Sequence, residues 1–435
     1  MAQLYDKNGN PIPVGDEVRI VRQQLSGIPI AQINGEQLYA PQGGGGSALT
    51  NAEVRKWQFL PDYLSYKFGK NKTAGAWFER FKILHFSDTH GSDTSGNNGN
   101  TIEALELANG LVDVVVDTGD NSNGVATSQP SSVLYFLNKY NTAVSTLDPN
   151  KNIKKLICNG NHDVPNITKK QFFDPMCSLM PNDFVFGDAE NYRTYGYEDI
   201  TGSTTVGTIR IITLDPYDYN DGQFMNPYGT RGTGGWMNAV FSQKQINWLI
   251  TTLRDAVSRG YKVITAMHYS FGDNTVWEED GTSAKPDANY HQDPFMIPDI
   301  IDAMQKKTTL VANYPDDEGL NNITINEDFS NIGNLHYICH LFGHIHSKND
   351  YRCQKTDGSK KYDILMLGEH NMGSSGYAIN KVKLQPDTLN SIKLSVLEID
   401  TYEQCVYRVS YGGYIAYNQS ETARTKKIPY RFTDN

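Results

Sequence analysis

The 435-residue chain predicts an α/β fold. Short apolar or β-branched runs recur between residues 81 and 411, and stretches with helical periodicity lie among them. Five of the apolar runs are each followed directly by a polar motif rich in Asp, His, Asn and Gly. That is the pattern of side chains delivered from strand ends, where open α/β sheets bind their ligands.

The strand-like runs are Phe81–Phe86, 111–116, 153–158, 208–214, 263–267, 335–341, 363–367, 394–400 and 405–411. Helical periodicity covers 101–109, 130–146, 242–258 and 293–305. Strands alternating with helices favour parallel pairing through crossover connections.

The five motifs are Asp88-Thr89-His90, Gly119-Asp120-Asn121-Ser122-Asn123, Gly160-Asn161-His162-Asp163, the single His268, and Gly343-His344-Ile345-His346. Taken alone, the Gly, Asn and Asp motifs read equally well as turns. Two histidines two residues apart on an extended segment face the same way, which suits a metal site. In one order, each at a predicted strand end, the five point to a single centre. Phosphoester cleavage asks for such a set, because two divalent ions can clamp phosphoryl oxygens and generate the nucleophile. A carboxylate placed as Asp120 is, between the two ligand groups, supplies the bridge.

These motifs resemble the calcineurin-like metallophosphoesterase superfamily over about residues 80–412. The segment 241–249, with Trp248 and Leu249, is similar to the helix the family places before the strand carrying its lone histidine. The resemblance implies a four-layer α-β-β-α sandwich of two mixed sheets. It implies that Asp88, His90, Asp120 and His346 hold one ion, and that Asp120, Asn161, His268 and His344 hold the other. It further implies that a bridging hydroxide attacks phosphorus and that His162 protonates the leaving oxygen. Asp163 is expected either to orient and tune His162 or to cap a following helix. Purple acid phosphatases place a tyrosine ligand three residues after the bridging Asp. Here Asn123 stands at that position, which favours two divalent ions over a ferric site. Oxygen and nitrogen ligands suit Mn, Fe or Zn, with manganese preferred.

Asn121, Asn123, Asp215, Arg231 and His370 are candidate substrate contacts. Asp215 and Arg231 belong to a long loop, 215–237, that also carries Tyr217, Tyr219, Phe224, Tyr228 and Trp236. These aromatics suit stacking on a base or sugar; the alternative is a loop packed on itself. His370 follows the predicted strand 363–367. His85, His336 and His340 read as packed or solvated strand residues, and His291 as solvated. The expected substrate is a phosphoester, with a phosphodiester preferred to a monoester.

The net charge of −10 argues against a basic surface for nucleic acid. No apolar stretch reaches the ~18 residues that would predict a transmembrane helix. The N-terminus has no apolar core of a secretory signal, so synthesis in the cytoplasm is expected. Five cysteines, Cys158, Cys177, Cys339, Cys353 and Cys405, make an odd set without C-x-x-C spacing and are expected to be reduced.

Three regions are expected: an N-terminal extension at 1–75 with a Gly-rich joint at 43–47, a catalytic domain at 76–415, and a tail at 416–435. A short helix is expected over 48–58. The opening Leu4-Tyr5-Asp6, with Gly9, Pro11 and Ile12, resembles segments that fix phage tail and fibre proteins to a virion. It would make the extension an anchor for assembly into a larger, virion-associated particle. The alternatives are a terminal extension packed on the domain, or an adhesive virion component whose metal-site domain binds a surface ligand.

Overall fold

Phe81–Phe86 (β1) is buried at every position, as are Val114–Asp117 (β2) and Lys155–Ile157 (β3). Continuous burial of parallel strands requires that both faces of their sheet be covered. The computed structural model describes residues 80–91, 112–125, 128–202, 206–218, 238–272, 293–315, 322–346, 349–355, 358–369, 393–412 and 425–431, together with shorter pieces elsewhere.

The chain divides into two compact units, Met1–Lys67 and Phe68–Asn435. In the first, the described strands Val18–Arg19, Pro29–Ile33 and Glu36–Tyr39 form an antiparallel sheet. The expected joint at 43–47 and helix over 48–58 lie outside the described residues.

The second unit is built on two mixed sheets. The further strands of these sheets include Gly196–Thr201 (β4), Thr208–Thr213 (β5), Lys262–Ala266 (β6), His336–Phe342 (β7), Asn349–Gln354 (β8), Lys361–Gly368 (β9), Lys393–Asp400 (β10), Cys405–Gly412 (β11) and Thr425–Pro429 (β12). One sheet has the order β12-β11-β10-β1-β2-β3, with β1, β2 and β3 parallel. In the other, β8-β9-β7-β6-β5-β4 run side by side, and β9, β7, β6 and β5 are parallel.

The helices described in full are Pro130–Leu147 (α1), Lys169–Cys177 (α2), Gln243–Arg259 (α3) and Met296–Lys306 (α4). Tyr140 of α1 donates to Asp117 of β2 at 2.7 Å. In the other layer α3 lies on β6 and α4 on β9. Ser242 caps α3 by accepting from Gln245 N, and Gly260 ends it in a left-handed conformation. The result is the four-layer α/β sandwich that the resemblance implied.

The fold departs from the sequence reading in two places. Helix α2 lies outside the stretches read as helical, and its cap is Thr168, in a capping box with Gln171, rather than Asp163. The region expected as a tail contains β12, which pairs with β11 and completes the first sheet. Of the expected helix 101–109, only Ala104, Leu105 and Ala108 are described; all three are helical and buried.

Candidate metal centre

Parallel strands put their C-terminal ends on one side, and every motif follows such an end. Asp88 and His90 come after β1, Asp120 after β2, Asn161 and His162 after β3, His268 after β6, and His344 and His346 after β7. Five of the seven proposed ligands, Asp88, His90, Asp120, His344 and His346, have positive φ, between 44° and 68°. Non-glycine residues rarely adopt this conformation, and it persists only where the surroundings enforce it. Here close contact between loops enforces it. A Cβ on Gly160 would collide with Asp120 Oδ1, and one on Gly343 with Ser87 Oγ, so only glycine permits these approaches.

The side chains converge in two groups. Asp88, His90, Asp120 and His346 present ligand atoms within 4.8 Å of one another, as do Asp120, His268 and His344. Asn161 joins the second group: its Oδ1 lies 2.9 Å from both His268 Nε2 and His344 Nδ1. Asp120 Oδ2 belongs to both groups, 3.7 Å from His90 Nε2 and 3.3 Å from His268 Nε2. It is buried with no hydrogen-bond partner, and so is Asp88 Oδ1. Buried carboxylate oxygens are costly unless paired or bound to a cation, so this donor set fits two divalent ions.

Electrostatics agree with ionised carboxylates. Burial opposes charge on Asp88, but His346 and His90 overcome it and hold the carboxyl well below its ordinary range. Asp120 is likewise lowered against burial by His268 and His162. In return Asp120 raises His268 to about 9, against the effect of burial.

Backbone carbonyls aim two of the rings. His268 Nδ1 donates to Thr118 O at 2.8 Å, leaving Nε2 toward Asp120. His162 Nδ1 donates to Gly124 O at 2.5 Å, and its Nε2 lies 3.9 Å from Asp120 Oδ2. Carbonyls carry no residue-type signal, so neither support was legible in the sequence.

Asp163 corrects both expectations made for it. Its oxygens accept from Ser122 N at 2.7 Å and Gly160 N at 3.0 Å, bracing the Asp120 loop against the Asn161 loop. The His162 ring is oriented by Gly124, and α2 begins further on with Thr168 as its cap. Asp215, expected to contact substrate, is instead fully buried, its carboxylate accepting from Asn159 Nδ2 and Tyr217 N at 2.9 Å each. Asn121 is buried and Asn123 is exposed beside the site. Arg231 and His370 lie outside the described residues, as does most of the 215–237 loop. His85 and His340 are buried and His336 is exposed; all five cysteines are buried and free.

The family model for calcineurin-like phosphoesterases matches residues 81–348, more than half of the chain and the stretch holding every one of these ligands. The chain belongs to the calcineurin-like phosphoesterase family. It is therefore a phosphoric ester hydrolase, and the clustered ligands mark a dinuclear divalent-metal site. Among solved structures, a dimetal phosphatase from Danio rerio aligns with a TM-score of 0.47 at 12% identity, covering 80% of this chain and 99% of that one. GAP50, the anchor in the inner membrane complex of Plasmodium, aligns with a TM-score of 0.39 at 11% identity over 80% and 89% of the two chains. PhoD gives 0.39 at 12% over 80% and 71%. No curated protein sequence matches the chain. No described helix of this phosphoesterase is long and apolar enough to cross a membrane.

Proposed function

We propose that this phosphoesterase hydrolyses phosphodiesters in preference to monoesters, with His162 as the acid that protonates the leaving oxygen. The observation that carries the reading is Asp120 Oδ2, buried, without a hydrogen-bond donor, and facing imidazoles of both ligand groups. In this reading Asp88, His90, Asp120 and His346 hold one ion and Asp120, Asn161, His268 and His344 the other. When bound, two such ions clamp the phosphoryl oxygens and activate the attacking water.

The protein's own groups do the rest. Two carboxylates against two divalent ions leave the site net positive, which attracts an anionic ester. Gly124 fixes the His162 ring so that Nε2 is the nitrogen directed to the site. Burial lowers the His162 pKa below the ordinary imidazole value, while Asp120 opposes it. A bound anionic phosphoryl group acts in the same direction as Asp120 and favours the protonated ring that an acid requires.

The diester preference is supported by Asn123 in place of a tyrosine ligand and by the aromatic loop at 215–237. Manganese is the preferred ion. The test is metal-stripped protein refilled with manganese and given bis-p-nitrophenyl phosphate beside p-nitrophenyl phosphate. Faster cleavage of the diester supports the proposal; faster cleavage of the monoester makes the enzyme a phosphomonoesterase. Residues 1–67, a compact unit of their own, serve in this reading as an attachment segment to a larger particle. Their deletion should leave turnover intact while abolishing assembly.

A further inference from the structure

Arg408, on β11 of the first sheet, is fully buried, although arginine is rarely so unless paired. Each of its three nitrogens donates. Nε donates to Ser395 Oγ at 3.0 Å, Nη1 to Asp350 Oδ1 at 2.6 Å, and Nη2 to Glu369 Oε2 at 3.0 Å and to the Gly368 carbonyl. Ser395 belongs to the same sheet as Arg408, whereas Asp350, Gly368 and Glu369 belong to or follow strands of the other. One guanidinium thus ties the two sheets together.

The segment it holds touches the strand ends that carry ligands. Glu369 N donates to Phe342 O at 3.0 Å, and Met372 N donates to Ser87 O at 3.1 Å. Phe342 immediately precedes Gly343-His344-Ile345-His346, and Ser87 immediately precedes Asp88. These two loops also meet directly, since His344 N donates to Asp88 Oδ2 at 3.0 Å. By contrast, His268 takes its orientation from Thr118, and the Asn161 loop is braced by Asp163.

We infer that Arg408, through Glu369 and Gly368, is a positioning residue chiefly for the first ion's site, which draws two of its four ligands, Asp88 and His346, from the loops so held, whereas the second ion's site draws only His344 from them. The inference rests on the two-ion reading above. A planar fork with several fixed donors is needed to reach Ser395, Asp350 and the 368–369 turn at once, and a lysine can keep the charge but not the span.

The test measures manganese affinity of metal-stripped protein by paramagnetic resonance titration, in two backgrounds. His268→Ala isolates the first site and His346→Ala the second. Arg408→Lys is expected to weaken binding about tenfold or more in the first background, the size of an outer-shell effect, and less than about threefold in the second. Melting of the stripped proteins measures any general loosening separately. If Arg408→Lys does not fold, Glu369→Gln, which keeps the shape and removes the charge, is read in the same way. Equal weakening in both backgrounds, or none in the first, would overturn the inference while leaving the two-ion reading in place. Failure of the wild-type chain to bind manganese would overturn that reading and this inference with it.

Discussion

His268 Nδ1 donates to the Thr118 carbonyl oxygen at 2.8 Å, across the junction of the two sheets. The bond fixes the ring so that the second nitrogen faces Asp120 and Asn161, where it would give its lone pair to a bound ion. Because the acceptor is main chain, this orientation survives any side-chain change at Thr118. Changing the histidine is another matter. His268→Ala should drop metal content from about two ions per chain to about one. Turnover should fall by more than the ~10–100-fold typical of an outer-shell change. Elemental analysis beside steady-state rates checks both; two ions retained would remove His268 from the ligand set.

His162 separates catalysis from metal binding. If it acts as the acid, His162→Ala should cost about 10²–10⁴ in turnover, with metal content unchanged. The loss should be smaller for an ester with a good leaving group such as p-nitrophenol, which needs less protonation. Equal losses for good and poor leaving groups would argue that the ring holds phosphate instead.

Glycine at 343 is required by contact. A methyl there would meet Ser87 Oγ and come within 2.5 Å of Asp88 Oδ2, both buried. Gly343→Ala should therefore destabilise the fold by roughly 1–3 kcal/mol, the usual range for overpacking, and displace Asp88 from the first site. Denaturant unfolding of the metal-stripped protein gives the first effect and metal titration the second. A variant with unaltered metal affinity would show that the loops can part without harm.

His340 makes a prediction for acid stability. It is fully buried, stacked on Phe271 at 3.8 Å, with Nε2 donating to Tyr269 O and Nδ1 bonded to Thr265 Oγ1. Burial, aided by the neighbouring His85, pushes its pKa down to about 3. The folded value lies below the unfolded one of about 6.5, so the unfolded chain binds the proton more readily. The contribution of neutral His340 is complete above pH 6.5 and is lost as pH falls from there toward 3, by up to about 1.4 kcal/mol per pH unit. Unfolding free energy measured across that window should fall more steeply for the wild type than for His340→Gln. Parallel slopes would contradict the assignment.

Much of this site was readable because its chemistry is spelled in side chains that sit directly after apolar runs. Order, strand ends and the family resemblance together pick out Asp88, Asp120 and His346, which do cluster. What could not be read depends on backbone. Asp163 adjoins His162 in sequence, yet the turn at 161–163 sends its carboxylate to Ser122 and Gly160. Asp215 ends an apolar run just as Asp88 does, but it is consumed by Asn159 and Tyr217, partners that no local pattern reveals. Strand β12 was missed because Lys426 and Lys427, suited to a sheet edge, give it no apolar run. Arg408 looks like an alternating strand residue, and only the meeting of two sheets makes it a buried cation.

In the proposed function, Asp120 joins two ions in one site. The most direct measurement is paramagnetic resonance of metal-stripped protein titrated with manganese. Ions sharing a bridge about 3.5–4 Å apart should give a spin-coupled signal that grows to two manganese per chain, and Asp120→Asn should abolish the coupling. One ion per chain at saturation, or two that remain uncoupled in the wild type, would contradict the account.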